Sequence, residues 1–147
     1  MPIEGPEEFF KKGLSELAQG QGLSALVNFE KALQLDYKPL YLSYFAYCTA
    51  KERGQIRKAI ELCEDAVKLE PDNPLHYLNL GRIYLHAGDR GTAILAFRTG
   101  LKHEINREII DELIKLQTRK SPVISFLSRD NPVNKYLGII LKCLGLR

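Results

Sequence analysis

The sequence lacks the residue patterns from which disulfide frameworks, zinc sites and other metal sites are usually built. It has only three cysteines, an odd number, and no two of them form a C-x-x-C pair. Its three histidines do not share a metal-ligand spacing. Reduced thiols in a cytoplasm are the simplest interpretation, and neither a metal nor another cofactor is expected.

Long apolar segments are also missing. No window approaches the roughly 18 apolar residues that a membrane-spanning helix needs. The N-terminal stretch MPIEGPEEFFKK has neither a basic start nor an apolar run, so we predict no signal peptide. A cytoplasmic protein is therefore expected.

Charge and catalytic patterns are equally sparse. The net charge of +3 comes from the C-terminal end, where residues 102–147 hold nine basic residues against five acidic ones. This excess is too small to predict nucleic-acid binding, and no strip of alternating basic and aromatic residues is evident. With no Cys–His pair, acid pair or Gly-rich phosphate loop in evidence, we predict that the protein is not an enzyme.

What the sequence does contain is an internal repeat of 34 residues. Several columns align over three copies without a gap, and this period indicates a helical solenoid. Three columns hold small residues: Gly20, Gly54 and Gly88; Ala25, Ala59 and Ala93; Ala32, Ala66 and Gly100. A further column holds Gly13, Tyr47 and Gly81. Another holds Phe29, Cys63 and Phe97.

Each copy reads as two amphipathic helices joined by a tight turn. Small residues such as Gly81 and Ala93 let the two helices approach closely where they cross. Gly88 suits the left-handed position that ends a helix. Asn73 is a good N-cap, and Pro74 suits the first helical position.

This residue skeleton resembles the tetratricopeptide repeat. The third copy matches best, with Tyr77, Leu80-Gly81, Tyr84, Ala93 and Phe97. The second copy departs at Ser43 and Tyr47, where the family has a large aromatic and a small residue. The first copy has Tyr37 where the family ends its repeat with proline. The resemblance covers about residues 6–107 and implies an all-α, right-handed superhelical solenoid of three repeats, 6–39, 40–73 and 74–107.

The resemblance also implies that the first helix of each repeat lines a concave, partner-binding face. Two interpretations of this largely apolar face stay open: the interior of a tightly wound solenoid, or a docking surface for an apolar helix or extended segment. The Lys, Asn and Arg clamp of chaperone-docking members is absent. The predicted face contains Phe10, Leu14, Leu17, Tyr41, Tyr44, Cys48, Lys51, Leu75, Leu78, Arg82, Leu85 and His86.

Residues 108–147 are predicted to hold a C-terminal helix, an extended apolar strap at 123–127 and a terminal amphipathic helix. The first helix, over 107–120, is expected to cover the open end of the solenoid. We expect the strap to pack beside the third repeat, with the concave groove as the alternative. For the terminal helix, a cap, a contact with another chain and a membrane-surface position all stay open.

Together these patterns predict a cytoplasmic, bacterial protein-interaction module, adaptor or scaffold. Its expected partner is a protein or peptide, whereas nucleic acid and membrane are not expected partners. A homo-oligomer formed through the C-terminal tail stays possible. The alternatives are a secretion-type chaperone for a client protein, a class that also combines about three such repeats with flanking helices, and a self-assembling scaffold.

Overall fold

The computed structural model describes residues 2–116 and 132–145, with the side chains of 133 and 134 left out. Every regular element in these residues is an α-helix, so the all-α prediction is confirmed. The helices are α1 (Pro6–Ala18), α2 (Gly22–Leu35), α3 (Pro39–Arg53), α4 (Ile56–Leu69), α5 (Pro74–His86), α6 (Arg90–His103), α7 (Arg107–Leu116) and α8 (Pro132–Cys143).

Local sequence signals set the helix ends. Asn73 caps α5, because its side chain accepts a hydrogen bond from the Leu75 backbone N–H at 3.0 Å. Asp89 caps α6 in the same way through Thr92, at 3.1 Å. Gly88 adopts φ +78° in the turn between these helices, so its predicted left-handed conformation is confirmed.

Successive helices pack as neighbouring pairs, α1 with α2, α3 with α4 and α5 with α6. The pairs then stack, since α3 contacts α2, and α5 contacts both α3 and α4. Glycine permits two of the crossings. A Cβ added to Gly13 would lie 2.6 Å from the ring of Phe29, and one added to Gly81 would lie 2.3 Å from the ring of Phe97. The prediction that Gly81 allows close helix approach is therefore confirmed.

In the second pair, α3 with α4, the large residue lies on the first helix and the small residue on the second, the reverse of the other two pairs. Tyr47 stands where the other pairs have glycine, and Cys63 stands where they have phenylalanine. Cys63 is fully buried, and Tyr47 packs against the cluster that contains it. Because Tyr47 is large and its partner is small, the crossing keeps its volume while one aromatic side chain moves from the second helix to the first.

Ser43, the other departure of the second repeat, belongs to a buried polar network. Its Oγ lies 2.9 Å from Nδ1 of the fully buried His76 and accepts a hydrogen bond from Asn79 Nδ2 at 3.2 Å. Nε2 of His76 lies 2.8 Å from a carboxylate oxygen of Glu70, which can only accept, so Nε2 carries the proton of a neutral ring. Burial lowers the pKa of His76 and outweighs the opposing effect of Glu70. The network fixes α5 against α3.

The C-terminal helices close this core. Ile109, Ile110 and Leu113 of α7 are buried in one cluster with Leu78 and Phe97. Ile139 and Cys143 of α8 join the same cluster, and α8 contacts α6 and α7. This packing supports the folded-back placement of the terminal helix. The predicted strap at 123–127, and the last residues of the helix predicted over 107–120, lie outside the described residues.

No helix in the described part of the chain has the length and apolar character required to cross a membrane.

Candidate functional site

A cleft with a volume of about 420 Å³ opens along the first helices of the pairs. Helices α1, α3, α5 and α7 each contribute to its walls. We call this cleft the groove. It is lined by Leu14, Leu17, Ala18, Tyr44, Tyr47, Lys51, Arg82, Glu108 and Glu112.

Five of the twelve residues predicted for the concave face are buried in the interior. Three of them, Phe10, Tyr41 and Tyr44, form an aromatic cluster with Phe29, with ring centroids 4.8 to 5.6 Å apart. Four of the five fill the space between helices, so a docking surface does not fit them. Tyr44 is also buried, but it forms part of the groove lining. The five are Phe10, Tyr41, Tyr44, Cys48 and Leu78.

The other seven predicted residues divide into two groups. Leu14, Leu17, Lys51 and Arg82 line the groove, as expected for an accessible face. The remaining three do not line it. Leu75 and Leu85 are half-buried against the cluster that contains Leu78 and the buried residues of α7 and α8. His86 is exposed, and its ring centroid lies 6.1 Å from that of Tyr47.

Sequence reasoning missed three of the polar and aromatic groups of the groove. Tyr47 was overlooked as a lining residue because its column otherwise holds glycine. Glu108 and Glu112 were overlooked because the repeat pattern fades after residue 107. Helix α7 begins at Arg107, 33 residues after α5 begins at Pro74, and it lines the groove with the first helices of the pairs.

Arg82 is the electrostatic centre of the groove. Its Nε donates to Glu112 and its Nη2 donates to Glu108, both at 3.2 Å. Its guanidinium carbon also lies 5.6 Å from the centroid of the Tyr47 ring, which is a cation–π geometry. Burial lowers the pKa of Arg82, but Glu112, Tyr47 and Glu108 outweigh it and the pKa is raised. Arg82 is therefore a fixed cation that ties α5 to α7.

A second cation stands over the same ring. The Nζ atom of Lys51 lies 6.0 Å from the centroid of Tyr47, and Lys51 is exposed. Burial raises the pKa of Tyr47, and the charge of Arg82 opposes that effect. Tyr47 is therefore a neutral aromatic group with two cations, Arg82 and Lys51, near its ring.

The thiols of the described residues are not activated. Burial raises the pKa of Cys48 to about 12 and raises the pKa values of Cys63 and Cys143 as well. The described residues hold no group of three or more side chains suited to a metal ion. Cys48, which lies next to the groove, is therefore a core residue with an unactivated thiol.

Comparison with known proteins agrees with this architecture. Residues 50–107 match the family model described as tetratricopeptide repeat. This part of the chain, from the end of α3 through α6, is similar to the tetratricopeptide repeat. Such repeats mediate protein–protein interactions.

Three known proteins are similar to this chain. The photosystem I assembly protein Ycf3 of Rippkaea orientalis (strain PCC 8801 / RF-1) is 31% identical over 85 residues, which are 56% of this chain and 49% of that protein. The chain thus spans about half the length of this relative. The tetratricopeptide-repeat domain of Sgt2 from Aspergillus fumigatus gives a TM-score of 0.60 at 20% identity and covers 86% of this chain and 93% of its own.

The third is PcrH in complex with the chaperone-binding region of PopB. It gives a TM-score of 0.54 at 15% identity and covers 97% of this chain and 94% of its own. At these identities both structural likenesses show the fold alone.

Proposed function

We propose that this chain is a non-enzymatic interaction module, an adaptor or scaffold, that holds an apolar helix or extended segment of a partner protein in its groove. The observation that carries the proposal is the groove itself, an open cleft of about 420 Å³ that combines apolar and charged walls. We place this activity in the cytoplasm, where the three free, buried cysteines would stay reduced.

The composition of the groove supports binding by contact. Leu14 and Leu17 are half-buried, so part of each apolar side chain is available to a partner. Tyr47 and Arg82 belong to the residue types that dominate binding energy at protein interfaces. Arg82 is already held by Glu108 and Glu112, so a partner meets a pre-organised surface with little further ordering cost.

A pair of charge-reversal variants tests the groove. Lys51 and Lys58 are both exposed, the first in the groove on α3 and the second on α4. We expect an affinity purification from source cells to recover a stoichiometric partner with the wild type and with Lys58→Glu. Lys51→Glu should change the recovery of that partner, because the charge at this position faces the bound segment.

Equal recovery with Lys51→Glu and Lys58→Glu would contradict a groove-bound partner. A second groove variant, Leu17→Ser, should lose the partner, because it replaces part of the apolar wall with a polar group. Circular dichroism of each variant checks that a lost partner is not a lost fold.

A secretion-type chaperone is the second candidate. The likeness to PcrH over 97% of this chain favours it, although that likeness concerns the fold alone. A client that co-elutes at equal stoichiometry in size-exclusion chromatography would support a chaperone. Concentration-dependent oligomers without a client would instead support a self-assembling scaffold.

A further inference from the structure

Building on that proposed function, we propose that the groove selects a partner segment that carries a basic side chain beside an apolar anchor. The apolar anchor lies against Leu14 and Leu17 of α1. The basic side chain lies at the carboxylates of α7, Glu108 and Glu112.

Helix α7 gives the groove an acidic wall. Glu108 and Glu112 both face the groove, and they share the single guanidinium of Arg82. Glu112 is mostly buried and also lies 3.9 Å from Lys115, whereas the Glu108 side chain is 56% exposed. Arg82 bonds one oxygen of Glu108, and more than half of that side chain is exposed, so Glu108 keeps an accessible, negatively charged oxygen at the rim.

The positive charges of the groove lie away from the α7 backbone, on α3 and α5. Arg82 is 18% exposed and is committed to Tyr47 and the two carboxylates, so it is poorly placed to bind a further anion. Lys51 is the exposed cation of the groove, and it lies on α3 rather than on α7. A partner cation is thus attracted at the α7 wall and repelled near Lys51, which fixes its place and orientation.

Helix α1 gives the groove an apolar wall. Leu14, Leu17 and Ala18 of α1 form the side of the groove that has no charged lining residue. An aliphatic or aromatic side chain bound there would be removed from water, and this supplies affinity without charge selectivity. Selectivity then comes from Glu108, and affinity comes mainly from the apolar anchor.

Two short labelled peptides test the inference by fluorescence anisotropy. They share one Leu-Ala scaffold and differ only in carrying lysine or glutamate at the same positions. At low salt we expect the wild type to bind the lysine peptide about tenfold more tightly, and added salt should reduce the difference.

Glu108→Gln removes one negative charge without a change of shape. We expect it to weaken binding of the lysine peptide about two- to fivefold, since one partly exposed charge contact is lost. The matched control Glu61→Gln, at an exposed glutamate of α4, should leave the affinity unchanged. Lys51→Glu should tighten binding of the lysine peptide, because it removes the repelling charge.

The outcomes separate the inference from the proposed function. If both peptides bind equally and Leu17→Ser weakens both, the groove binds segments but the charge selectivity is wrong. If neither Leu17→Ser nor Lys51→Glu affects either peptide, the groove is not the binding surface and both proposals fall. Sedimentation velocity that shows a dimer dissociated by peptide would mean that a second copy of the chain fills the groove, and this too would overturn the inference.

Discussion

Replacing Gly81 by alanine should destabilise the protein, against the usual preference of helices for alanine. The new Cβ would lie 2.3, 2.6 and 2.7 Å from three carbons of the Phe97 ring. Real Cβ atoms do not approach carbon so closely, and Phe97 is fully buried, so its ring has no free space to enter. The crossing of α5 and α6 must widen instead.

The magnitude follows from two opposing contributions. Overpacking a well-packed core costs about 1–3 kcal/mol. Alanine in place of glycine in a helix returns up to about 1 kcal/mol. Gly91→Ala in α6 offers a matched control, because the nearest atom to its new Cβ, Asp89 Oδ1, is 3.9 Å away. The difference between the two variants therefore isolates the overpacking cost, about 1–3 kcal/mol.

Urea unfolding followed by far-ultraviolet circular dichroism measures both variants. Adding Phe97→Cys to Gly81→Ala should recover part of the loss relative to the sum of the single changes, because the two positions share one space. If Gly81→Ala is as stable as Gly91→Ala, the close crossing of α5 and α6 does not exist as described. Additivity in the double variant would also refute the argument.

Three further predictions concern titration, thiols and the α7 contact. The pKa of His76 is lower in the folded protein than in the unfolded chain, so its contribution to stability is present above pH 6.5 and is lost on acidification. In urea unfolding, the free energy of unfolding should therefore fall less steeply below pH 6.5 in His76→Gln than in the wild type. An equal fall in both proteins would contradict this. Cys48 should resist a thiol reagent in the native protein and react once it is unfolded, whereas rapid native labelling would exclude its burial. Arg82→Met should cost about 1–3 kcal/mol and speed amide exchange in α7, because two carboxylates lose their charged partner; unchanged exchange in α7 would show that Arg82 does not hold it.

The repeat architecture was predictable because its signals are local and periodic. Small residues recur every 34 positions where paired helices cross, and the structure shows the reason at Gly13 and Gly81, whose missing Cβ atoms leave room for an aromatic ring. Turn glycines and N-cap residues depend only on neighbouring backbone. These features need no knowledge of distant packing.

The second repeat shows where such reasoning stops. Tyr47 and Ser43 read as departures from the family pattern, but each is compensated by another residue. Cys63 makes room beside Tyr47, and His76 with Asn79 satisfies Ser43. Such compensations can be predicted from sequence only if each repeat position is considered together with the position that it contacts in the neighbouring helix.

The candidate site was only partly predictable for a related reason. The helix period in a sequence predicts which residues lie on the same face of a helix. Whether these residues line a groove or are buried in the core depends on how closely the next helix packs. Tyr41 and Cys48 became core because α3 is covered by its neighbours, whereas Lys51, farther along the same helix, stayed exposed. Glu108 entered the groove because α7 continues the stack beyond the recognisable repeats.

The most direct test of the groove as a binding surface is a chemical-shift perturbation experiment on isotopically labelled protein titrated with the lysine peptide. The predicted result is a set of perturbed amides that follows the groove over α1, α3, α5 and α7, with Leu17, Lys51 and Glu108 among them. Amides of α2 and α4 should stay unperturbed apart from those in direct contact with groove residues. Perturbations concentrated on α2 and α4, with Leu17 and Lys51 unaffected, would contradict binding in the groove.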